Sequence, residues 1–269
     1  LAIGTGGINV VLISNVSRWF SKKRGLAVGI VSSGSGLGIL IMSPVIAYLI
    51  ENFSWRTSYI LMGLTIWLVV ISLSMLLKRN PHNSGLTFVE EMLNEDKAKL
   101  HGKELLSQAT GFSLLQAVKI RKFWIIGFAW LLLSVCVHLI LTHIIPHITD
   151  ADFSTPQAAT VLGALGAFTV VGRLLGGGAS DFIGRRKVSV ISALLGAGAL
   201  LFLMTAQELW AFYLFSILFG LSWGGLGIMI PAIIIDTFGL RNIGFIMGSQ
   251  NVAWVLGEAI GPYVGGFNF

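Results

Sequence analysis

The sequence predicts an all-α polytopic membrane protein, and its composition carries most of that prediction. Of its 269 residues, 55% are hydrophobic and 11% are charged, whereas roughly 25% of an ordinary soluble domain is charged. So few charges cannot cover a soluble globule, which excludes a soluble enzyme, a disordered chain and a disulfide-stapled secreted domain. The single cysteine, Cys136, can form no internal disulfide.

Eight segments are long and apolar enough to cross a bilayer, which takes roughly 20 mainly apolar residues. They are residues 1–17, 25–50, 56–77, 123–146, 157–180, 188–206, 210–235 and 243–267. Their glycine and proline content is typical of bundled membrane helices. None of them shows the ten-residue alternation that is typical of barrel strands.

The basic residues predict the orientation of these segments. Sixteen of the 18 basic residues fall on one side, Arg56 falls on the other, and Arg173 lies within a segment. Cytoplasmic loops carry the excess of Lys and Arg, so we predict a protein of the plasma (inner) membrane whose 79–121 loop is cytoplasmic. The net charge of +6 does not indicate nucleic-acid binding, because the basic residues lie in short clusters between apolar runs.

The polar loop 79–121 also divides the predicted domains. Residues 1–78 are predicted to end an N-terminal half, and residues 122–269 to form most of a C-terminal half. Spaced leucines within the loop suggest short amphipathic helices on the membrane surface. The chain begins with Leu1 and ends directly after an apolar segment, which we interpret as an internal fragment; a complete eight-span protein is the alternative.

Two Gly-rich segments on either side of the loop resemble each other. Arg24 precedes Pro44 by 20 positions, and Arg241 precedes Pro262 by 21. Parallel repeats occur in transporters whose two halves rock about a central site. Glycines also recur at the four-residue spacing that permits close helix packing. These pairs are Gly25/Gly29, Gly34/Gly38, Gly172/Gly176, Gly220/Gly224, Gly244/Gly248 and Gly261/Gly265.

Three short motifs connect the sequence with a known family. Residues 177–187, GGASDFIGRRK, resemble the cytoplasmic loop motif of the major facilitator superfamily, although Phe182 replaces its usual basic residue. Residues 19–27, WFSKKRGLA, and 142–150, THIIPHITD, resemble segments at spans five and seven of oxalate–formate antiporters and monocarboxylate transporters. The resemblance implies a twelve-helix fold of two pseudo-symmetric six-helix halves, here truncated to spans four to eleven.

Arg173 is the strongest candidate for substrate binding. It precedes Asp181 by eight residues, so it lies roughly 12 Å inside the span at 1.5 Å per residue. An arginine at that depth costs at least about 2.5 kcal/mol unless it faces water or a partner. Its planar guanidinium suits a carboxylate, and the family resemblance implies the same role. The alternatives are snorkelling toward the cytoplasm and pairing with a protein carboxylate.

The other predicted substrate-binding residues are Thr169, His143, Asn9, Asn251 and Trp254. Thr169 lies one turn before Arg173 on the same helix face, and His143 matches a position in the family motif. The alternatives are a hydroxyl bonded to its own helix for Thr169, a bond between helices for His143 and ordinary packing for the other three. No thiolate or carboxylate joins His143 and His147, so no metal site is predicted.

Four residues are predicted to act in coupling or gating. Glu258 lies inside the last segment, where a carboxylate either binds a coupling proton or locks the outer gate by hydrogen bonding. The family resemblance implies that Asp181, Arg185 and Arg186 hold the cytoplasmic side closed. For the two arginines, the alternative is ordinary anchoring at the cytoplasmic face.

The predicted function is secondary active transport of a small monocarboxylate, such as lactate, pyruvate or formate, by proton symport or anion exchange. The segment 243–267 has no lysine, whereas the oxalate antiporter keeps one there, so one carboxylate is favoured over two. The alternatives are efflux of another small molecule with Arg173 structural, and a non-transporting membrane sensor. No enzyme, catalytic residue or cofactor is predicted, since the sequence holds no nucleophile–base pair or ATP-binding motif. We expect a monomer in the lipid bilayer.

Overall fold

A computed structural model of the protein describes residues 13, 16, 24–53, 55–75, 111–239 and 241–266. These residues form nine α-helices, and the strand-like contact among them is an isolated bridge between Gly111 and Gly239. The helices are α1 (Arg24–Ser32), α2 (Gly34–Asn52), α3 (Trp55–Ser74), α4 (Leu114–Val118), α5 (Arg121–Asp150), α6 (Thr155–Ile183), α7 (Arg185–Leu203), α8 (Leu209–Phe238) and α9 (Ile243–Gly266).

Most of the predicted spans are helices with nearly the predicted bounds. Six stretches are long and apolar enough to cross a membrane, and Leu26–Ile50, the first of them, runs through α1 and α2. The other five lie in α3, α5, α6, α7 and α8. Helix α9 has 24 residues but falls outside these six, since polar side chains such as Gln250 and Glu258 interrupt its apolar sequence. The predicted span 1–17, with Asn9, and most of the 79–121 loop lie outside the described residues.

Local sequence signals explain where several helices begin and end. Helix α6 begins with a capping box, in which the Ser154 hydroxyl accepts from the Gln157 N–H and the Gln157 side chain accepts from the Ser154 N–H at 2.9 Å. Gly184 separates α6 from α7 at φ 89°, and Gly239 ends α8 at φ 78°. Glycine adopts both conformations without the steric cost that a Cβ would add.

The helices pack into one bundle around α6 and α8. Helix α6 lies against α8 on one side and against α1 and α2 on another, while α9 packs along α5 and α7 along α8. Within the described ranges, helix α3 makes its main contact with α2 and is exposed along most of its length. Contact between α2 and α6 therefore joins the predicted N-terminal and C-terminal halves.

Buried apolar side chains form two clusters at opposite ends of the bundle. One cluster surrounds Phe123 and Phe238, near the start of α5, and the other surrounds Ile144, Phe212 and Phe215, near its end. An apolar groove of about 560 Å³ opens between α5, α7 and α8. The exposed Cys136 lies in this groove.

Glycines allow the closest helix contacts, as the four-residue spacing predicted. A Cβ on Gly220 would lie 2.7 Å from the Leu165 carbonyl oxygen, and one on Gly261 would lie 2.6 Å from the Val135 carbonyl oxygen. Such distances leave no room for a side chain, so these glycines set the spacing of α6/α8 and of α5/α9. Four other glycines of these pairs meet no described atom within 4 Å of their Cβ positions, so for them close packing stays a prediction. They are Gly34, Gly38, Gly244 and Gly248.

Candidate functional site

A cavity of about 270 Å³ lies between the two buried clusters. Side chains from α1, α2, α5, α6, α8 and α9 line it, so it sits where the predicted halves meet. Most of its wall is apolar or aromatic. The polar and aromatic groups that face it are Ser32, Ser35, Trp130, His138, Arg173, Trp223, Asn251 and Trp254.

Arg173 supplies a buried positive charge to this cavity. Its exposed fraction is 8%, and its guanidinium carbon lies 5.9 Å from the centre of the Trp223 ring. Its Nε is buried without a hydrogen-bond partner, and no carboxylate of the described residues pairs with it. A buried charge without a partner is strongly unfavourable. The cavity therefore has the electrostatic character of a site for an anion.

Close helix packing positions the arginine. Gly224 on α8 lies against the backbone of α6 at Thr169 and Arg173. On the other side of α6, a Cβ on Gly29 would lie 2.7 Å from the Arg173 carbonyl oxygen. The backbone around Arg173 is therefore confined between α1 and α8, and its side chain projects into the space that remains between the helices.

His138 on α5 faces the same cavity and contacts α9. Its Nδ1 lies 2.9 Å from the Ser134 carbonyl oxygen, and its Nε2 lies 3.9 Å from Oε1 of Glu258. The imidazole also packs edge-on against Trp254, with ring centres 5.4 Å apart. The structure thus connects the predicted coupling residue Glu258 with the cavity through a histidine.

Two of the predicted substrate-binding residues join Arg173 at the cavity. Asn251 and Trp254 both line it from α9. Trp254 packs edge-on against Trp130 with ring centres 5.9 Å apart. These positions are compatible with substrate contact, and the roles assigned to Asn251 and Trp254 stay predictions.

Two other predicted substrate-binding residues lie away from the cavity. Thr169 is fully buried, and its hydroxyl donates to the Leu165 carbonyl oxygen at 2.8 Å. His143 lies with its Nε2 3.0 Å from the Pro262 carbonyl oxygen, which joins α5 to α9. Each contact is the alternative that the sequence left open for that residue. His143 instead lines a separate pocket of about 210 Å³ together with His147.

The predicted gating residues divide into two sets. Arg185 forms an ion pair with Asp236 and donates to the Ala232 carbonyl oxygen, so it ties the start of α7 to the end of α8. Asp181 and Arg186 are exposed at the same end of the bundle, and within the described ranges neither forms an ion pair. The gating roles of all three stay predictions.

Sequence reasoning did not select His138, Trp130 or Trp223 for the site. A signal for His138 existed, because it lies deepest in its span of the three histidines on α5. His143 was preferred on its motif match. Trp130 and Trp223 lie inside spans, where an indole is typical both of ordinary packing and of a cavity wall. No local sequence pattern distinguishes these two roles.

Comparison with known proteins identifies the family. The sequence profile of the Major Facilitator Superfamily matches residues 1–262. The MFS-type transporter YcxA of Bacillus subtilis is 26% identical over 94% of the chain and 60% of the relative. Monocarboxylate transporter 12 of Xenopus laevis is 27% identical over 88% of the chain and 53% of the relative.

The oxalate:formate antiporter of Oxalobacter formigenes is 24% identical over 97% of the chain and 60% of the relative. The chain thus spans between half and two thirds of the length of these relatives. All three are named as transporters and none as an enzyme, which agrees with the expectation from sequence. The resemblance to the major facilitator superfamily is confirmed, and the fold is the major facilitator fold in truncated form. The chain belongs to the Major Facilitator Superfamily, as an integral multi-pass membrane protein.

Proposed function

We propose that the protein is a secondary active transporter of a small monocarboxylate and that Arg173 binds the carboxylate group. The observation that carries this proposal is a buried guanidinium without a carboxylate partner among the described residues, facing a cavity between the predicted halves. An anion that enters the cavity compensates the charge and forms charge-assisted hydrogen bonds. The names of two relatives, a monocarboxylate transporter and an oxalate:formate antiporter, favour the same substrate class.

The cavity suits one carboxylate better than two. Within the described ranges, Arg173 is the permanently charged basic side chain that lines it, and a charge on His138 would face Glu258 instead. A dicarboxylate would bury a second negative charge against an apolar wall, which is unfavourable without a second cation. Asn251 offers an amide donor and acceptor to a hydroxyl or keto group of the substrate. We therefore favour lactate, pyruvate or formate over oxalate.

Alternating access would turn this binding site into a transport site. We propose that residues 1–78 and 122–269 belong to the two halves and that the 79–121 loop connects them in the cytoplasm of the plasma (inner) membrane. The cavity lies at the contact between α2 and α6, so rocking of the halves would open it to either side. The Arg185–Asp236 ion pair lies at the end where we place the cytoplasmic gate.

Uptake into proteoliposomes tests this function. Radiolabelled lactate, pyruvate and formate are offered beside oxalate to vesicles that carry the protein, its Arg173→Lys variant or its Arg56→Lys variant. Arg56 is a matched control, because it lies over the ring of the exposed Trp55 and does not line the cavity. Lysine keeps the charge but lacks the planar guanidinium that can donate two parallel hydrogen bonds to a carboxylate. We therefore expect lactate uptake to fall by about tenfold or more in Arg173→Lys.

The outcome separates this function from its alternatives. Normal lactate affinity in Arg173→Lys, with normal uptake in Arg56→Lys, would contradict carboxylate binding at Arg173. Faster uptake of oxalate than of lactate would contradict the preference for one carboxylate. Transport of uncharged or cationic compounds instead would favour efflux with a structural Arg173, since most of the cavity wall is apolar or aromatic.

A further inference from the structure

The hydrogen bonds of His138 determine which of its nitrogens carries the proton. Nδ1 lies 2.9 Å from the Ser134 carbonyl oxygen, and a carbonyl oxygen only accepts. The Ser134 hydroxyl, 3.2 Å from Nδ1, donates its own hydrogen to the Trp254 carbonyl oxygen at 2.6 Å. Both neighbours of Nδ1 are therefore acceptors. The neutral imidazole must carry its hydrogen on Nδ1, which leaves Nε2 as an unprotonated base.

That free base faces a carboxylate. Nε2 of His138 lies 3.9 Å from Oε1 of Glu258, with exposed side-chain fractions of 18% and 35%. A proton on Nε2 would convert this contact into an ion pair without any change in the Nδ1 hydrogen bond. The site is therefore built to accept one proton at a defined atom.

Among the described residues that line the cavity with His138, one other carries a charge. Arg173 on α6 lines the same cavity, whereas the side chains that α1, α2 and α8 contribute to it are serines, Trp223 and apolar residues. An unpaired guanidinium opposes protonation of a nearby imidazole, because both would be positive. An anion bound to Arg173 removes that opposition. Anion binding and proton binding should therefore strengthen each other, and to the same degree, since coupling between two sites is reciprocal.

We propose that His138 is the proton-binding residue of the transporter, with Ser134 and Glu258 as its positioning residues. This inference rests on the proposed carboxylate transport. One proton from the aqueous phase binds Nε2 when a carboxylate binds Arg173, and both leave on the opposite side, so no covalent bond of the substrate changes. Glu258 stabilises the imidazolium but does not carry the proton itself.

The test measures how pH changes lactate binding to the purified protein. Calorimetric titrations at pH 6 and pH 8 are made for the wild type, His138→Gln, Glu258→Gln and His147→Gln. Glutamine keeps a polar side chain but accepts no proton in this range. His147 is the matched control, because it lies on the same helix but packs on Phe212 outside the cavity.

We expect the wild type and His147→Gln to bind lactate at least about fivefold more tightly at pH 6 than at pH 8. The ratio should fall to about one in His138→Gln and to an intermediate value in Glu258→Gln. A pH ratio in His138→Gln equal to that of the wild type would overturn the proposal. Equal loss in His147→Gln would also overturn it, since the effect would then not be specific to His138.

A second measurement needs no substrate. In protein labelled with carbon-13 histidine, the His138 resonance, assigned with the His138→Gln variant, should respond to pH, because the Nδ1 hydrogen bond leaves Nε2 free to take up a proton. Glu258→Gln should change that response, because it removes the carboxylate whose Oε1 lies 3.9 Å from Nε2. A His138 resonance that does not change with pH would contradict the proposed proton-binding site. So would a pH response that is the same in the wild type and in Glu258→Gln. A normal response in a protein that binds no lactate contradicts only the proposed function.

Discussion

The two Gly-rich segments that repeat each other in sequence pack in different ways. The first forms α1 and α2 and lies against α6, across the contact between the predicted halves. The second forms α9 and lies against α5 within one predicted half. Both bring glycine against backbone, since a Cβ on Gly36 would lie 2.7 Å from the Gly166 carbonyl oxygen and one on Gly257 would lie 2.7 Å from the Leu131 carbonyl oxygen.

The difference lies in the hydrogen bonds between the helices. Across α2 and α6, the described side chains form one such bond, from the Ser43 hydroxyl to the Ala159 carbonyl oxygen at 3.1 Å. Across α5 and α9 there are three, made by Ser134, His143 and Gln250 with backbone carbonyl groups. The same glycine pattern thus occurs in the α2/α6 contact, which has few hydrogen bonds between helices, and in the α5/α9 contact, which has several. The first suits two surfaces that slide, and the second suits two helices that move together.

The largest expected effect comes from Gly261→Ala in the α5/α9 contact. Its Cβ would lie 2.6 Å from the Val135 carbonyl oxygen and 2.9 Å from the Leu139 nitrogen, and backbone atoms cannot turn away. We expect a loss of about 1–3 kcal/mol in unfolding free energy, as for other overpacked contacts, read as a lower melting temperature in detergent. Gly248→Ala is the control, since no described atom lies within 4 Å of its Cβ position.

The second effect should separate stability from transport. In Gly36→Ala the Cβ would lie 2.7 Å from the Gly166 carbonyl oxygen, but few directional bonds hold α2 in place. The helices can move apart, so we expect the melting temperature to fall less than in Gly261→Ala and lactate uptake to fall more. Gly38→Ala should leave both unchanged, because no described atom lies within 4 Å of its Cβ position. Equal losses of melting temperature in Gly36→Ala and Gly261→Ala would remove the distinction between the two contacts.

The smallest effect concerns single hydrogen bonds in the two contacts. Ser134→Ala removes the bond to Trp254, and Ser43→Ala removes the bond to Ala159. Bonds between membrane helices average about 0.6 kcal/mol, and the 2.6 Å bond of Ser134 should exceed the 3.1 Å bond of Ser43. Denaturation in detergent should therefore show the larger loss for Ser134→Ala. The reverse order would contradict the comparison.

The sequence allowed the helices to be predicted better than their contacts. Apolar length alone predicts the spans, and Arg173 stands out because charge is rare in the chain. Which way a side chain faces depends on the rotation of its helix, and a helix that is apolar on all sides gives no periodic signal. For that reason Thr169 was a candidate for the cavity although its hydroxyl bonds to its own helix.

Partners distant in sequence were also beyond prediction. His138 and Glu258 are 120 positions apart, and Arg185 and Asp236 are 51 apart, so no local pattern relates them. The glycines make the same point, because Gly34 and Gly261 follow the same spacing rule, yet among the described helices Gly261 meets a neighbour and Gly34 does not. Spacing predicts that a glycine can permit close packing, and tertiary structure decides whether it does.

Cys136 gives the molecule a single point of chemical attachment. It is the one cysteine among these 269 residues, it is exposed, and it lies in the apolar groove between α5, α7 and α8. It is also two positions from His138 on the same helix. A nitroxide or fluorophore attached there would report on α5, and a lipid-soluble maleimide would reach the thiol more readily than a charged one.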